Sequence, residues 1–198
     1  MRLKFVIITQ ENFIENEASI INRIMAYDDS CIMHIRKPSA LPIDIENLIS
    51  KIDKEYYPRL TIHYNFDIAK HFNLGGIHLS AKSPIAPQNW SGRISASCHN
   101  FAEVERMTTS CDYVFLSPIF QSISKSGYDA RFDNYELAKA KACGIINDKV
   151  YALGGVTHEK ISQIRAWGFG GFAVLGYIWN SGDTETILKR VAELNAEI

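Results

Sequence analysis

Neither sign of charge dominates this sequence. Lys and Arg number 21 against 22 Asp and Glu, a formal net charge of −1. That balance excludes the basic footprint of a protein that holds nucleic acid through its phosphates, so no nucleic-acid partner is expected. No block of like charge occurs, which removes a disordered interaction arm. Cysteine is scarce and scattered: Cys31, Cys98, Cys111 and Cys143 make no CxxC spacing. Neither a disulfide frame nor a thiolate zinc site is therefore expected, and reduced thiols suit a cytoplasmic protein. Long apolar runs are missing too. The first one turns polar after Thr9, too short for a signal peptide or a span, so no membrane partner is expected. No linker, low-complexity tract or repeat interrupts the 198 residues, and 46% hydrophobic content supplies one core. Residues 1–198 are expected to form a single domain.

What the sequence does have is two alternating periods. Eight short apolar or β-branched runs predict strands at 5–9, 31–36, 60–63, 76–79, 94–97, 113–117, 150–153 and 172–175. Stripes at three and four spacing predict helices between most of them. Ile20, Ile21, Ile24 and Met25 form one stripe, and Ile45, Leu48, Ile49 and Ile52 a second. Ile187, Leu188, Val191 and Leu194 form the last, opened by Asp183 or Thr184 as N-cap. Gly144 and Gly168 follow helical stripes, as C-terminal glycines do. Asn100 with Glu103 resembles a capping box and starts a helix at Phe101. Strands that alternate with helices imply a parallel sheet with right-handed crossovers. The fold class read from this is α/β, a compact single-domain TIM (β/α)8 barrel, with an open doubly wound sheet as the alternative. The first strand's loop, Thr9-Gln-Glu-Asn-Phe13, has no glycine for the phosphate loop that the open sheet usually carries there.

In a barrel the chemistry sits where strands end at their C-termini. Those ends carry His34 and Arg36, His63 and Tyr64, Ser97 and His99, Ser117, Gly154 and Gly155, and Gly176. Glycines after the last two strands let backbone N–H groups approach a phosphate, although a Gly-Gly pair equally makes a tight turn. The Arg36 fork suits phosphate or carboxylate, or else a rim ion pair. The loop Ser122 to Gly127 offers hydroxyls and the Lys125 ammonium to an anion, or is simply a polar loop. An imidazole's unperturbed pKa lies near 6.5, which makes His99 the candidate for proton transfer. Ser97 and His99 share a strand face, whereas Cys98 points away. His63 and His78 would need His99 to make a three-histidine metal site. No carboxylate shows ligand spacing beside them, so no metal site is expected.

The ordered set Val6-Ile-Ile-Thr9, His34-Ile-Arg36, Gly76-Ile-His-Leu79, Ser97-Cys-His99-Asn, Asp112-Tyr-Val-Phe-Leu-Ser-Pro-Ile-Phe120, Leu153-Gly-Gly-Val-Thr157 and Val174-Leu-Gly-Tyr-Ile178 resembles one family. It is that of thiamine phosphate synthase and its relative, the TenI-type thiazole tautomerase. The resemblance covers nearly the whole chain. It implies a barrel that binds a small phosphorylated thiazole. In the synthase, a pyrimidine diphosphate also binds with Mg²⁺, and the thiazole nitrogen displaces pyrophosphate. On that resemblance Arg36, Ser97 and Lys125 match diphosphate contacts, Ser122 and Ser124 match a thiazole-contacting pair, and Gly155 with the Gly176–Ile178 turn matches the phosphate site. His34 and His63 stand where the synthase carries a glutamine and an asparagine, and count as substrate-binding candidates.

The departures are equally specific. Tyr64 and Ser83 stand where the resemblance places the two Mg²⁺-binding aspartates, and Pro38 stands for a lysine. A departing pyrophosphate gathers negative charge that Mg²⁺ and its carboxylates normally offset. The tautomerase needs no diphosphate site or metal. It moves one proton on a thiazole carboxylate phosphate, and His99 matches its shuttle. The first expectation is therefore a tautomerase-like isomerase acting through His99, with no cofactor. The alternatives are a thiamine phosphate synthase, the one case in which Mg²⁺ is expected, and a barrel that senses thiazole or thiamine phosphates without catalysis. The sequence leaves a homo-oligomer open.

Overall fold

The alternation written in the sequence becomes, in the computed structural model, a closed barrel of eight parallel strands. The structure describes residues 2–81, 83–121, 131–180 and 182–198. The strands are β1 (Lys4–Ile8), β2 (Ile32–Ile35), β3 (Leu60–Ile62), β4 (Gly76–Leu79), β5 (Arg93–Cys98), β6 (Tyr113–Leu116), β7 (Val150–Leu153) and β8 (Gly171–Val174). They pair in chain order, and β8 closes on β1 with Phe5 opposite Phe172. Every expected run is a strand whose ends lie within one residue of the expectation. The open-sheet alternative is excluded, because no edge remains.

Helices cover the outside: α1 (Glu17–Tyr27), α2 (Pro42–Ile49), α3 (Phe66–Phe72), α4 (Phe101–Met107), α5 (Asn134–Ala142), α6 (Ile161–Ala166), α7 (Gly176–Trp179) and α8 (Thr184–Ala196). The α1 stripe of Ile20, Ile21, Ile24 and Met25 is wholly buried. Each such side chain contributes about 1.5–3 kcal/mol of apolar burial. The α8 stripe buries Ile187, Val191 and Leu194, and Asp183 caps it by accepting from the Thr186 N–H at 2.8 Å. Asn100 accepts from the Glu103 N–H at 2.8 Å, so α4 starts at Phe101 as expected. Gly144 and Gly168 take φ of 76° and 81°, a backbone that a Cβ would strain. A complete capping box at Asp133 and Glu136 opens α5 and was not anticipated from sequence.

Two layers fill the molecule. The larger lies between strands and helices. The smaller lies inside the barrel, where Val6, Ile8, Tyr113, Phe115, Tyr151 and Ala173 pack together. Tyr113 and Tyr151 stack with centroids 4.7 Å apart. This inner core is lopsided. Strands β1, β6, β7 and β8 supply its apolar and aromatic side, while β2 to β5 supply the buried polar residues His34, Thr61, His78 and Ser95. The polar side is the one that leads to the site.

Candidate active site

A cavity of about 980 Å³ opens at the C-terminal ends of the strands. Its wall is contributed by every strand end. His63, His78 and Ser97 lie on one side, His99 and Ser117 on another, and Gly155 and Gly176 on a third. Strand parity explains the first side: His78, Ser95 and Ser97 project into the barrel, whereas Cys98 is buried in the outer layer.

His99 follows β5 and is exposed at the mouth. Its Nδ1 lies 3.2 Å from the Ser117 carbonyl oxygen and 3.4 Å from the Ser117 hydroxyl. A carbonyl accepts only, so Nδ1 carries the hydrogen and Nε2 keeps its lone pair. The backbone is held as well. The His99 N–H donates to Glu103 Oε2 at 2.6 Å, and Asn100 Nδ2 donates to Glu103 Oε1 at 2.8 Å. Glu103 thus ties the strand end to the first turn of α4, a role that sequence reasoning gave only to the helix cap.

Beneath the mouth lies a second set of histidines. His34 Nδ1 and His63 Nε2 are 2.9 Å apart, and the Tyr113 hydroxyl is 2.6 Å from His34 Nε2. His78 stacks on His63 with centroids 4.1 Å apart. Its two ring nitrogens each lie 2.8 Å from a hydroxyl, those of Ser95 and Ser97. Burial disfavours charge on all three rings. It holds His34 and His63 well below the usual histidine range, aided by the neighbouring imidazoles and by Arg93 and Arg36 respectively. It pulls His78 down to about 3, with Arg36 adding to the effect. The Tyr113 phenol is pushed up to about 12 by burial and stays a donor. Sequence reasoning grouped His63 and His78 with His99. The structure groups them with His34, and the ligand atoms of those three lie within 4.8 Å of one another.

The remaining candidates divide. Arg36 lines the cavity and pairs with Glu11 at 2.8 Å, the rim ion pair that sequence kept as its alternative. Its neighbour Lys37 points the other way and is fully buried. Its Nζ donates to both Glu17 carboxylate oxygens, at 2.7 and 2.9 Å, and to the carbonyls of Gln10 and Asn12. Lys37 therefore does not stand in for the lysine replaced by Pro38. His34 was expected to touch substrate, yet it lies under the cavity rather than in its wall, 0% exposed. Ile178 was expected in the phosphate turn. Its side chain is buried, and its N–H donates to the Leu175 carbonyl at 3.1 Å, so Gly176 and Tyr177 face the cavity instead. Gly155 lines the cavity with φ 63°, and a Cβ there would collide with the Gln121 carbonyl. Close passage of the chain alone thus requires glycine at that position. Ser122, Ser124 and Lys125 lie outside the described residues.

The Mg²⁺ that the resemblance implies for a synthase needs hard oxygen donors, chiefly carboxylates. Among the described residues, the acidic side chains lining the cavity are Glu11 and Glu103. One is paired with Arg36, and the other braces His99 and Asn100. Tyr64 and Ser83 add no charge. This donor set does not fit the ion.

Comparison with known proteins gives a consistent lineage. The profile of the family described as thiamine monophosphate synthase matches residues 5–178. The crystal structure of a thiamine phosphate pyrophosphorylase from Bacteroides thetaiotaomicron is similar at a TM-score of 0.87 and 32% identity, over 98% of this chain and 97% of that one. The thiamine-phosphate synthase of Methanococcus maripaludis is 26% identical over 98% of this chain and 94% of its own length. A thiamine phosphate pyrophosphorylase from Pyrococcus furiosus shares the fold, at a TM-score of 0.69 and 19% identity over 97% and 96% of the two chains.

Proposed function

The chain belongs to the thiamine monophosphate synthase family and is a thiamine-biosynthesis barrel enzyme; from that premise we propose that it binds a thiazole phosphate and moves a single proton through His99, as an isomerase of the thiazole tautomerase type. The observation that carries this reading is the mouth itself. A histidine with a free Nε2 lone pair is braced by Ser117 and Glu103 at the rim of a cavity whose carboxylates are already committed. A proton shift on a thiazole carboxylate phosphate asks for one group that takes a proton and returns it, and for anchors at the anionic ends. His99 Nε2 is the taker. The chain trades its Arg36–Glu11 pair for an Arg36–carboxylate contact. The backbone N–H groups of Gly155 and Gly176 face the phosphate. No neutralisation of a polyanionic leaving group is needed.

A second reading is favoured by the relatives' names, which are those of thiamine-phosphate synthases and pyrophosphorylases. In that reading the enzyme is a transferase that joins a pyrimidine diphosphate to the thiazole phosphate and releases pyrophosphate. The names support the transferase and the donor set supports the isomerase. Purified protein incubated with each substrate set, with and without Mg²⁺, separates them by mass spectrometry and ring-proton NMR. Aromatised thiazole without Mg²⁺ is the result expected here. Mg²⁺-dependent thiamine phosphate and pyrophosphate establish the transferase instead. Ligand-induced thermal stabilisation with neither product identifies a sensing barrel.

A further inference from the structure

The interior histidines have no part in the reaction just described. We propose that His34, His63 and His78 form a three-imidazole site for a zinc-class divalent cation at the floor of the cavity, with its fourth position open toward the mouth. His34 lies on β2, His63 directly follows β3 and His78 lies on β4; the pairing of these adjacent strands, extended by the His63 N–H donating to the Ile35 carbonyl at 3.2 Å, fixes their spacing. Their ligand atoms lie within 4.8 Å of one another, and His34 Nδ1 and His63 Nε2 are 2.9 Å apart. A tetrahedral ion with Zn–N bonds of about 2.0–2.1 Å needs nitrogens about 3.3 Å apart, so the close pair opens slightly and any wider separation closes by up to about 1.5 Å. Three neutral imidazoles with one open position match a catalytic rather than a structural zinc site.

The surrounding shell has the required chemistry. A ligating imidazole usually donates its other N–H to an oxygen that fixes its orientation. Tyr113 Oη sits at His34 Nε2, and Ser95 Oγ sits at His78 Nδ1. Binding through His34 Nδ1 and His78 Nε2 exchanges the His34–His63 hydrogen bond and the His78–Ser97 contact for coordination, with the His34 Nε2–H donating to the Tyr113 oxygen. His63 and His78 line the cavity, which gives the ion an entry path and its fourth ligand a place.

The test uses no substrate, so its outcome is independent of the proton-shift reading. Full-length protein stripped with a chelator is titrated with Co²⁺ and then Zn²⁺. One equivalent should bind, with the intense visible bands of four-coordinate Co²⁺. In ¹⁵N-histidine NMR, Zn²⁺ should move the ring signals of His34, His63 and His78 and leave His71, His99 and His158 in place. His63→Gln should weaken binding at least tenfold, and Tyr113→Phe should weaken it about 10- to 100-fold, as loss of a supporting oxygen does. If His63→Gln does not fold, the wild-type NMR map decides alone. Wild-type protein that melts cooperatively but binds no stoichiometric ion overturns the proposal. So do shifts confined to His71, His99 and His158.

Discussion

The barrel carries histidines at two depths, and the difference between them is what their surroundings permit. His99 stands exposed at the mouth, with one ring nitrogen fixed on the Ser117 carbonyl. His34, His63 and His78 stand below it, each at or below 5% exposure and linked to one another or to hydroxyls. Water at the mouth lets an imidazole gain and lose a proton cheaply. The interior withholds that water, so its imidazoles stay neutral and can act as fixed donors, acceptors or ligands but not as a shuttle. One residue type thus stands in two environments within one barrel.

Substitutions at the two depths should therefore fail differently. The largest effect is expected from His99→Asn, which keeps a polar group but removes the proton carrier. Turnover should fall about 100- to 10,000-fold while ligand affinity, measured calorimetrically, stays near wild type. Equal loss of both would make His99 a structural group. His34→Ala should act on stability instead. It leaves a cavity and strips partners from the Tyr113 hydroxyl and His63, a loss of roughly 3 kcal/mol in denaturant melts. Unchanged stability would mean that the interior network does not hold the barrel. Arg36→Gln should raise KM about tenfold with a small change in kcat, because it removes binding at an anionic end of the substrate. Its effect on stability should stay within about 1 kcal/mol, since the Glu11 pair is solvent-exposed.

The smallest effect expected is one of pH. In the metal-free chain the interior histidines bind protons less readily when folded than the usual value near 6.5 allows when unfolded. Protons then favour the unfolded chain. Stability should be complete above about pH 6.5 and fall as pH drops from there toward the folded value of about 3 for His78. Melting temperatures measured with chelator between pH 7 and 5 should show the decline. His78→Gln should make it shallower, since His34 and His63 still contribute, and His99→Asn should leave it unchanged. A decline that His99→Asn abolishes would reverse the assignment of the two depths.

The sequence made the barrel legible because each strand is a self-contained apolar run. The turns at Gly144 and Gly168 and the caps at Asn100 and Asp183 depend on residues a few positions apart. The place of His99 at the mouth was legible for the same reason, since a strand end followed by a helix cap lies there. The histidine grouping was not. Whether His34 or His99 joins His63 and His78 depends on stagger around the closed barrel, where His34 pairs with Thr61 and Thr61 with Gly76. That stagger puts His34 level with the ring floor and leaves His99 above it. The rim pair of Arg36 was among the sequence's alternatives, but its partner Glu11 and the Lys37–Glu17 pair were hidden, because both join the end of β2 to the segment after β1 across 20 to 25 residues of chain.

Proton traffic at His99 is the central claim. Wild-type and His99→Asn proteins should be incubated in D2O with a thiazole carboxylate phosphate and followed by proton NMR. Wild type should yield aromatised product carrying solvent deuterium, and His99→Asn should leave the ligand bound but unchanged. Equal turnover by both proteins would contradict it.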